Sequence, residues 1–164
     1  MDYKIRGITF IELIIVLTII GIITLLAAVS VRWQANESRL SEMRDRFLAD
    51  CEFIRINSIA REPHGIFMYP GKYEIRRLHD VNKNFIRDMT ESTYLFPDPD
   101  GTIVLGEGMT LAWNSCKKNN ELWFDRKGIP RCQNWGLGMG TVTFERDDQK
   151  KTISIDRGGR IKYE

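Results

Sequence analysis

The strongest constraint on this chain is an apolar run close to its N-terminus. Residues Leu13 to Val31 include no charged side chain, and about 20 apolar residues in a helix can cross the hydrocarbon core of a bilayer. Glu12 stands at the head of this run, where an unpaired carboxylate in lipid is costly. The run therefore predicts a membrane-spanning helix in which Glu12 has a functional role.

Three interpretations compete for this run. A cleaved secretory signal would explain the basic residues Lys4 and Arg6 and the small residues at 28–30. The run is longer than the apolar part of a usual signal peptide, however, and Glu12 would weaken it. A plain membrane anchor explains the length but not Glu12. The third interpretation accounts for every feature, and it rests on the residues around the glutamate.

The segment around Glu12 resembles the processing site of type IV prepilins and pseudopilins. The matching residues are Gly7, Ile8, Thr9, Phe10, Ile11, Glu12 and Leu13. The resemblance implies that a prepilin peptidase cuts after Gly7 and that the new terminus at Ile8, where phenylalanine or methionine is usual, is N-methylated. It also implies that Glu12 pairs with the terminal amine of a neighbouring subunit during filament assembly. A buried carboxylate is tolerated when a cation is presented to it.

Charge gives only a coarse indication of compartment and partners. The 164 residues carry a formal net charge of +2, which is too small to indicate nucleic-acid binding from bulk charge. Lys4 and Arg6 precede the apolar run, and positive charge stays on the cytoplasmic side of a span. Together with the resemblance, this predicts a single-pass protein of the bacterial inner membrane whose C-terminal domain is periplasmic or extracytoplasmic.

Helical periodicity continues beyond the apolar run. Apolar or small residues recur at spacings of three and four, which is typical of one helix face, and Pro63 ends the pattern. The residues of this face are Leu40, Met43, Phe47, Cys51, Ile54 and Ser58, with Leu48 and Ile59 widening it. We predict one helix over about Phe10–Arg61. Its first half is apolar on all sides, and its second half is amphipathic. Two helices with a hinge near Ser30 are the alternative.

After Pro63 the period changes to two, and short runs between turn residues predict strands. The predicted strands are Ile66–Tyr69, Lys72–Leu78, Thr93–Phe96, Thr102–Leu105, Met109–Trp113, Glu121–Asp125, Thr141–Arg146 and Lys151–Asp156. No helix separates them, so the sheets should be antiparallel. The predicted fold is α+β and pilin-like, with a long N-terminal helix packed on antiparallel β-sheets. Its segments are a leader (1–7), a transmembrane and assembly helix (8–31), an amphipathic half (32–62) and a β-rich domain (63–164).

Several later residues resemble the general secretion pathway protein H / FimT family of minor pseudopilins. They are Arg55, Ser58, Ala60 and Arg61 late in the helix, then Leu122, Phe124 and Gly128, and finally Gly159, Arg160, Ile161 and Lys162. The resemblance implies a structural, non-enzymatic subunit of a type II secretion pseudopilus or type IV pilus. Its implied partners are other pilin or pseudopilin subunits, the prepilin peptidase and the inner membrane. We find no catalytic set of residues in the sequence.

Three cysteines are present. Cys116 and Cys132 flank one predicted strand, and in an oxidising compartment we expect them to form a disulfide. Closing a loop of 17 residues in this way would contribute about 3 kcal/mol in the chain-entropy model. Cys51 falls in the helix and is predicted to be a buried apolar residue.

The segment from Asp80 to Glu91 matches the spacing of a calcium loop. Oxygen side chains stand at Asp80, Asn82, Asn84, Asp88 and Glu91, and Ile86 would offer its main-chain carbonyl. Phe85 departs from the pattern, because the loop normally has glycine there. A polar hairpin loop is the alternative, since Asp and Asn also favour turns. No other cofactor is indicated.

A basic cluster near the C-terminus gives an alternative function. The cluster contains Arg157, Arg160 and Lys162. Within it, the residues from Gly159 to Lys162 resemble, with lysine in the last place, a Gly-Arg-x-Arg motif associated with DNA binding in FimT-like minor pilins. The resemblance thus offers a minor pilin that binds DNA in natural transformation. A solvated edge strand explains the same residues, because exposed lysines discourage association between sheets.

Overall fold

The structure is a computed structural model that describes residues 9–86, 91–97, 100–115, 120–132 and 134–163, without the side chains of residues 28, 29 and 32. It divides into two compact units, Met1–Glu37 and Ser38–Glu164. Helix α1 spans Phe10–Ala60. It supplies the described helical residues of the first unit and opens the second. The prediction of one helix is confirmed, and the alternative of two helices is not.

In the first unit, α1 exposes its apolar side chains all round. Phe10–Ala27 forms a stretch of 18 residues that is long and apolar enough to cross a membrane. Two hydroxyl groups within this stretch bond back to the helix itself. Thr18 Oγ1 donates to the carbonyl of Ile14 at 2.8 Å, and Thr24 Oγ1 donates to that of Ile20 at 2.7 Å. These threonines therefore need no partner from outside the helix.

In its described residues the second unit adds ten strands after α1. They are β1 (His64–Tyr69), β2 (Lys72–Leu78), β3 (Thr93–Leu95), β4 (Thr102–Val104), β5 (Met109–Asn114), β6 (Glu121–Phe124), β7 (Pro130–Arg131), β8 (Gly140–Arg146), β9 (Gln149–Ile155) and β10 (Ile161–Tyr163). The first sheet has the order β3-β2-β1-β6-β7, with β4 also pairing β2, and the second has the order β10-β9-β8-β5. Every pairing is antiparallel. The α+β prediction is confirmed.

The core lies where one face of α1 meets both sheets. Phe47 is fully buried and makes edge-on contacts with Tyr73 of the first sheet, at 5.1 Å between ring centroids, and with Phe144 of the second, at 5.5 Å. The Tyr73 hydroxyl donates to Asp50 Oδ2 at 2.6 Å. Burial raises the pKa of the Asp50 carboxyl, and this hydrogen bond partly opposes it. A single helix face thus holds two sheets together.

A main-chain hydrogen bond from Leu111 also connects the two sheets, and a second holds Leu105, just after β4, to the first sheet. The N–H of Leu111 in β5 donates to the carbonyl of Pro70 at 3.0 Å, and the N–H of Leu105 donates to Gly71 at 3.0 Å. Both acceptors lie in the turn between β1 and β2. The turn that joins two strands of the first sheet therefore also fixes the first strand of the second.

Three details depart from the sequence-based expectations. Ile59 is 47% exposed, so the predicted widening of the buried face fails at that position. Trp123 is fully buried although its neighbours Leu122 and Phe124 face the core. Its ring lies against Gly65, where an added Cβ would come within 2.5 Å, so both faces of β6 are covered. Strand β7 was not predicted, and β10 was given only as the edge strand that is the alternative explanation of the basic cluster. The proline in β7 argues against a strand, and each of the two is only two or three residues long.

We predict that Phe47→Ala lowers the free energy of unfolding of the second unit by about 3–5 kcal/mol, because it leaves a cavity between both sheets. Phe53→Ala on the same helix is the matched control. Phe53 is 43% exposed, so its loss should cost about 1 kcal/mol or less. The measurement is urea unfolding of the full chain in detergent, followed by near-ultraviolet circular dichroism. Equal losses for the two variants would contradict the central role of Phe47.

Candidate functional site

Glu12 lies in the first turn of α1, among exposed apolar side chains. The helix begins at Phe10, and the main-chain N–H of Glu12 donates to Thr9 Oγ1 at 3.4 Å. A carboxylate in the first turn is favoured by the helix dipole. Among the described residues no basic side chain forms an ion pair with Glu12. Gly7 and Ile8, the predicted cleavage and methylation positions, lie outside the described residues.

A second group of predicted residues, from the H / FimT resemblance, lies in or against two hairpin turns that share one hydrogen-bond pattern. In the β6–β7 turn, Asp125 Oδ1 accepts from the N–H groups of Lys127 and Ile129, at 2.8 and 2.9 Å. In the β9–β10 turn, Asp156 Oδ1 accepts from the N–H groups two and four residues on, at 2.8 and 3.0 Å. Each turn places a glycine three residues after its aspartate.

These two glycines, Gly128 and Gly159, have φ angles of +71° and +76°. Both are buried. A Cβ added to Gly159 would lie 2.3 Å from the carbonyl oxygen of Gly128 and 3.5 Å from Arg55 Nε, and one added to Gly128 would lie 3.0 Å from the same Nε. The two sheets therefore meet glycine to glycine against α1, so these residues of the H / FimT resemblance converge on one junction.

Ser58, from the same part of α1, fixes the start of the first sheet. Its side chain is fully buried, and its Oγ accepts the N–H of His64 at 2.9 Å. A residue that joins the helix end to β1 needs a short polar side chain, and Ser supplies both the size and the oxygen. Arg55, Ser58, Gly128 and Gly159 are thus positioned as structural residues of the second unit.

The basic C-terminal cluster is only partly brought together. Arg157 and Lys162 line one cavity of about 390 Å³. The Arg160 guanidinium lies 3.6 Å from Asp156 Oδ2. The main-chain N–H of Arg160, together with that of Gly158 and the nearby positive charges, holds the pKa of the Asp156 carboxyl below its usual range. A permanent negative charge therefore sits inside the cluster, which weakens it as a phosphate-binding surface. DNA binding stays a prediction.

The loop after β2 folds around its own oxygen atoms. Asp80 Oδ1 accepts the N–H of Asn84 at 3.1 Å, and Asp80 Oδ2 accepts that of Phe85 at 2.7 Å. Asn84 Oδ1 accepts from Ile86 at 2.7 Å, and Glu91 Oε1 accepts from Val81 at 3.1 Å. The oxygens predicted to hold calcium, including Asn82 Oδ1 at 3.0 Å from the Asn84 nitrogen, thus act here as turn acceptors.

Phe85 has a φ of +59°, so it takes the left-handed conformation that a calcium loop usually assigns to glycine. Its ring is covered by the Arg126 guanidinium at 4.1 Å. Within the described residues no group of three His, Cys, Asp or Glu side chains could hold a metal, and Asp88 lies outside them. Calcium binding stays a prediction, and the polar hairpin loop explains the hydrogen bonds on its own.

The cysteines follow the expected division as far as they are described. Cys132 is disulfide-bonded, and Cys51 is free and buried in the helix face that contacts the sheets. Burial raises the pKa of the Cys51 thiol well above its usual value, so the thiol stays protonated. Cys116 lies outside the described residues, so its pairing with Cys132 stays a prediction.

One residue that was not selected from the sequence stands out by its environment. His64 is 1% exposed, and its Nε2 is a buried atom without a hydrogen-bond partner in the described part of the chain. It lines a cavity of about 300 Å³. Its position immediately after a proline that ends a helix was the available signal, but a lone histidine is more often a core residue.

Comparison with known proteins gives one motif and one fold. Residues 3–28 match the family described as the prokaryotic N-terminal methylation motif. No curated protein sequence matches the chain. Two solved structures, both of the minor pseudopilin EpsH from the type 2 secretion system of Vibrio cholerae, match its fold. One has a TM-score of 0.56 at 11% identity, covering 76% of this chain and 95% of that one. The other has a TM-score of 0.53 at 10% identity, covering 77% and 93%.

The chain has a type IV pilin-like fold. It combines this fold with the methylation motif, so the predicted likeness to type IV pilins and pseudopilins is confirmed in fold and in the N-terminal motif. The candidate functional residues of this chain fall into two sets, which lie in different parts of it. Glu12 lies in the matched motif, whereas the Gly128–Gly159 junction belongs to the β-rich part.

We predict that Gly159→Ala destabilises this pilin-like second unit by about 2–4 kcal/mol, because a side chain there requires a left-handed conformation and meets the Gly128 carbonyl. The adjacent Gly158→Ala is the control. Its added Cβ would lie 3.3 Å from Asp156 Oδ1, and it should change stability by less than about 1 kcal/mol. Thermal unfolding of both full-length variants measures the difference. Similar midpoints would show that the glycine contact is dispensable.

Proposed function

We propose that this chain is a minor pseudopilin, a structural and non-enzymatic subunit of a type II secretion pseudopilus or a type IV pilus. The observation that carries the proposal is the placement of Glu12 on an apolar helix whose side chains are exposed from Phe10 to Ala27. The methylation motif over residues 3–28 and the fold shared with EpsH support it.

The exposed helix needs an apolar environment. Apolar surface in water costs about 25 cal/mol per Å², and α1 presents such surface on all its sides in the first unit. A bilayer supplies the environment before assembly, and the helices of neighbouring subunits supply it afterwards. Lys4 and Arg6 favour a cytoplasmic N-terminus. The second unit then lies on the periplasmic side of the inner membrane.

We infer that Glu12 takes its cation from another subunit. The described residues of the chain give it no ion pair, and in an apolar surrounding a lone carboxylate is unfavourable. Cleavage after Gly7 by a prepilin peptidase would create an ammonium group at Ile8 that can pair with a carboxylate. In an assembled filament the terminus of one subunit meets Glu12 of the next.

We predict that the mature chain begins at Ile8 and that its terminal nitrogen is methylated. The residues from Gly7 to Glu12 match the methylation motif, and a peptidase that acts on this motif leaves the residue after glycine as the new terminus. Intact-mass and peptide mass spectrometry of protein isolated from the membrane measures both changes. A start at Val31 would reject the pilin assignment.

We predict that Glu12→Ala abolishes incorporation into the filament while leaving membrane insertion intact. In the filament the neighbour's ammonium would lose its counter-charge, and leaving one partner of a buried pair alone costs about 3–5 kcal/mol. Insertion into lipid should not suffer, because the substitution removes a costly group. The measurement compares membrane level and filament incorporation of the variant with those of the wild type.

Glu42→Ala is the matched control for this experiment. Glu42 is an exposed glutamate on the same helix but within the second unit, so its loss should leave both insertion and incorporation unchanged. Equal incorporation of wild type and Glu12→Ala would exclude Glu12 as the assembly contact. Loss of incorporation in both variants would indicate a general effect of removing helix charge.

A further inference from the structure

A hairpin loop of residues 132–139, all but one of which are described, follows β7. Hydrogen bonds fix it at both ends of its turn. The N–H of Gly138 donates to the carbonyl of Pro130, and the N–H of Cys132 donates to that of Gly136, both at 2.8 Å. Cys132 is also disulfide-bonded. The described residues of this loop are therefore held in one shape.

Trp135 occupies a position in this loop that suits glycine. Its φ is +60°, and its N–H donates to the carbonyl of Cys132 at 2.8 Å, so it is the left-handed residue of a tight turn. A residue with a Cβ is strained in this conformation, whereas glycine is not. Trp135 is only half-buried, so the core does not require its ring. Strain of this kind persists where the side chain has a function.

Leu137 and Met139 continue the apolar character of this loop. They are 47% and 41% exposed, and single glycines separate them from each other and from Trp135. We call these three side chains the apolar loop face. Apolar side chains that a rigid loop leaves in water indicate an interaction surface, and tryptophan is enriched among the residues that dominate protein interfaces.

A cavity of about 390 Å³ adjoins the apolar loop face, because Met139 belongs to both. The Sδ of Met139 lies 3.2 Å from Arg157 Nε. Strand register places Thr141 of β8, Ser154 of β9 and Lys162 of β10 in one row across the second sheet, and all three line the cavity. The cavity therefore joins apolar side chains to two hydroxyl groups and two cations.

The two cations of the cavity, Arg157 and Lys162, form no ion pair with a described residue. Asp156 also lines the cavity, but its carboxylate lies 3.6 Å from the Arg160 guanidinium and accepts two main-chain N–H groups of its own turn. Its charge repels a doubly charged anion more strongly than a singly charged one. The cavity therefore suits a carboxylate, to which the two hydroxyl groups add neutral donors.

We propose that the apolar loop face and this cavity form one docking surface for a protein partner that presents apolar side chains next to a carboxylate. The apolar side chains cover the apolar loop face, and the carboxylate binds Lys162 and Arg157. A small anion would fill the cavity alone and would give no role to a tryptophan at a glycine position. The identification of the partner as another filament subunit rests on the proposed function, whereas the chemistry of the surface does not.

A lipid surface and a nucleic acid fit these side chains less well. Tryptophan and basic residues also occur at membrane surfaces, but Met139 contacts Arg157 in the turn whose Gly159 packs beside Arg55. The second unit begins at Ser38, and Arg55 lies about 25 Å further along α1 at 1.5 Å per residue. The surface is thus remote from the point where the apolar run enters this unit. Phosphates of a nucleic acid would leave the apolar loop face uncovered.

The test uses the full-length chain in nanodiscs of zwitterionic lipid, with isotope-labelled methionine methyl groups, and the probe peptide acetyl-Leu-Glu-Leu-methylamide. Nuclear magnetic resonance follows Met139, and the buried Met68 and Met109 are internal references. The probe should move the Met139 signal and leave the two reference signals unchanged.

Three changes should each weaken binding about fivefold or more, since each removes a charge-assisted or an apolar contact. They are replacement of the peptide glutamate by glutamine, Lys162→Gln and Leu137→Ser. Lys150→Gln and Val81→Ser are the matched controls and should leave the affinity unchanged. Lys150 is an exposed lysine of the same sheet that pairs with Glu145, and Val81 is 69% exposed in another loop. Thermal unfolding checks that all variants remain folded.

Trp135→Gly separates a role in binding from a role in folding. The variant should lose most of its affinity for the probe, yet unfold at the temperature of the wild type or above it, because glycine relieves the left-handed strain. A lower unfolding temperature would show that the ring is required by the fold, and would overturn the proposal.

The proposal is also overturned if millimolar probe leaves the Met139 signal unmoved. If acetyl-glutamate-methylamide or inorganic phosphate binds with the affinity of the probe, the cavity is a small-anion site and the proposal fails. Movement of the Met139 signal in nanodiscs of anionic lipid without peptide would assign the surface to a membrane instead, and tighter binding of a short DNA duplex would assign it to nucleic acid.

These measurements need no filament. A negative result therefore leaves the pseudopilin assignment standing, and a negative Glu12 experiment leaves the docking surface untouched.

Discussion

The second unit depends on one buried face of α1 that two sheets share. Phe47 touches Tyr73 and Phe144, which belong to different sheets, so neither sheet has a complete core without the helix. Close packing of this kind is sensitive to a single lost side chain. The hydrogen bond from Leu111 of β5 to Pro70, in the turn between β1 and β2, fixes how far apart the sheets can lie at this point.

A second junction closes the end of the same core. The turns after β6 and β9 share their aspartate, their glycine and their hydrogen-bond pattern, and they meet at Arg55. Only glycine combines a positive φ with the absence of a side chain at the contact. Gly128 and Gly159, two residues of the sequence resemblance, therefore meet a packing requirement of the fold.

The sequence predicted most of the fold because its main patterns are local. The 3.6-residue period identified the buried side of α1, and alternation identified eight of the ten strands. What it missed depends on contacts between distant residues. Trp123 is buried by Gly65 across a strand pair, and Ile59 is 47% exposed although it continues the apolar period of the helix. No periodicity contains these facts. Pro130 belongs to a strand at the edge of its sheet, where a missing N–H costs little.

Of the candidate sites, Glu12 could be predicted because a carboxylate in an apolar run is unusual in any context. The basic cluster could be predicted only as a composition, since the capping role of Asp156 within it appears only when the turn is formed. The environment of His64 could not be predicted from its position after Pro63. Its tautomer is set by the Glu62 carbonyl, and its neighbour Arg77 is brought to it by strand register.

The internal hydrogen bonds of Thr18 and Thr24 have a consequence for how such a helix could change its surroundings. Because these hydroxyls are satisfied by their own helix, transfer from lipid to a protein interior neither breaks nor creates a polar contact at them. Apolar side chains gain little from the exchange either, since lipid tails and side chains are similar solvents. For most of the span, the free energy of transfer from lipid to a protein interior is therefore close to zero. Glu12, a single ionisable group, then decides whether the helix is more stable in lipid or in a protein interior.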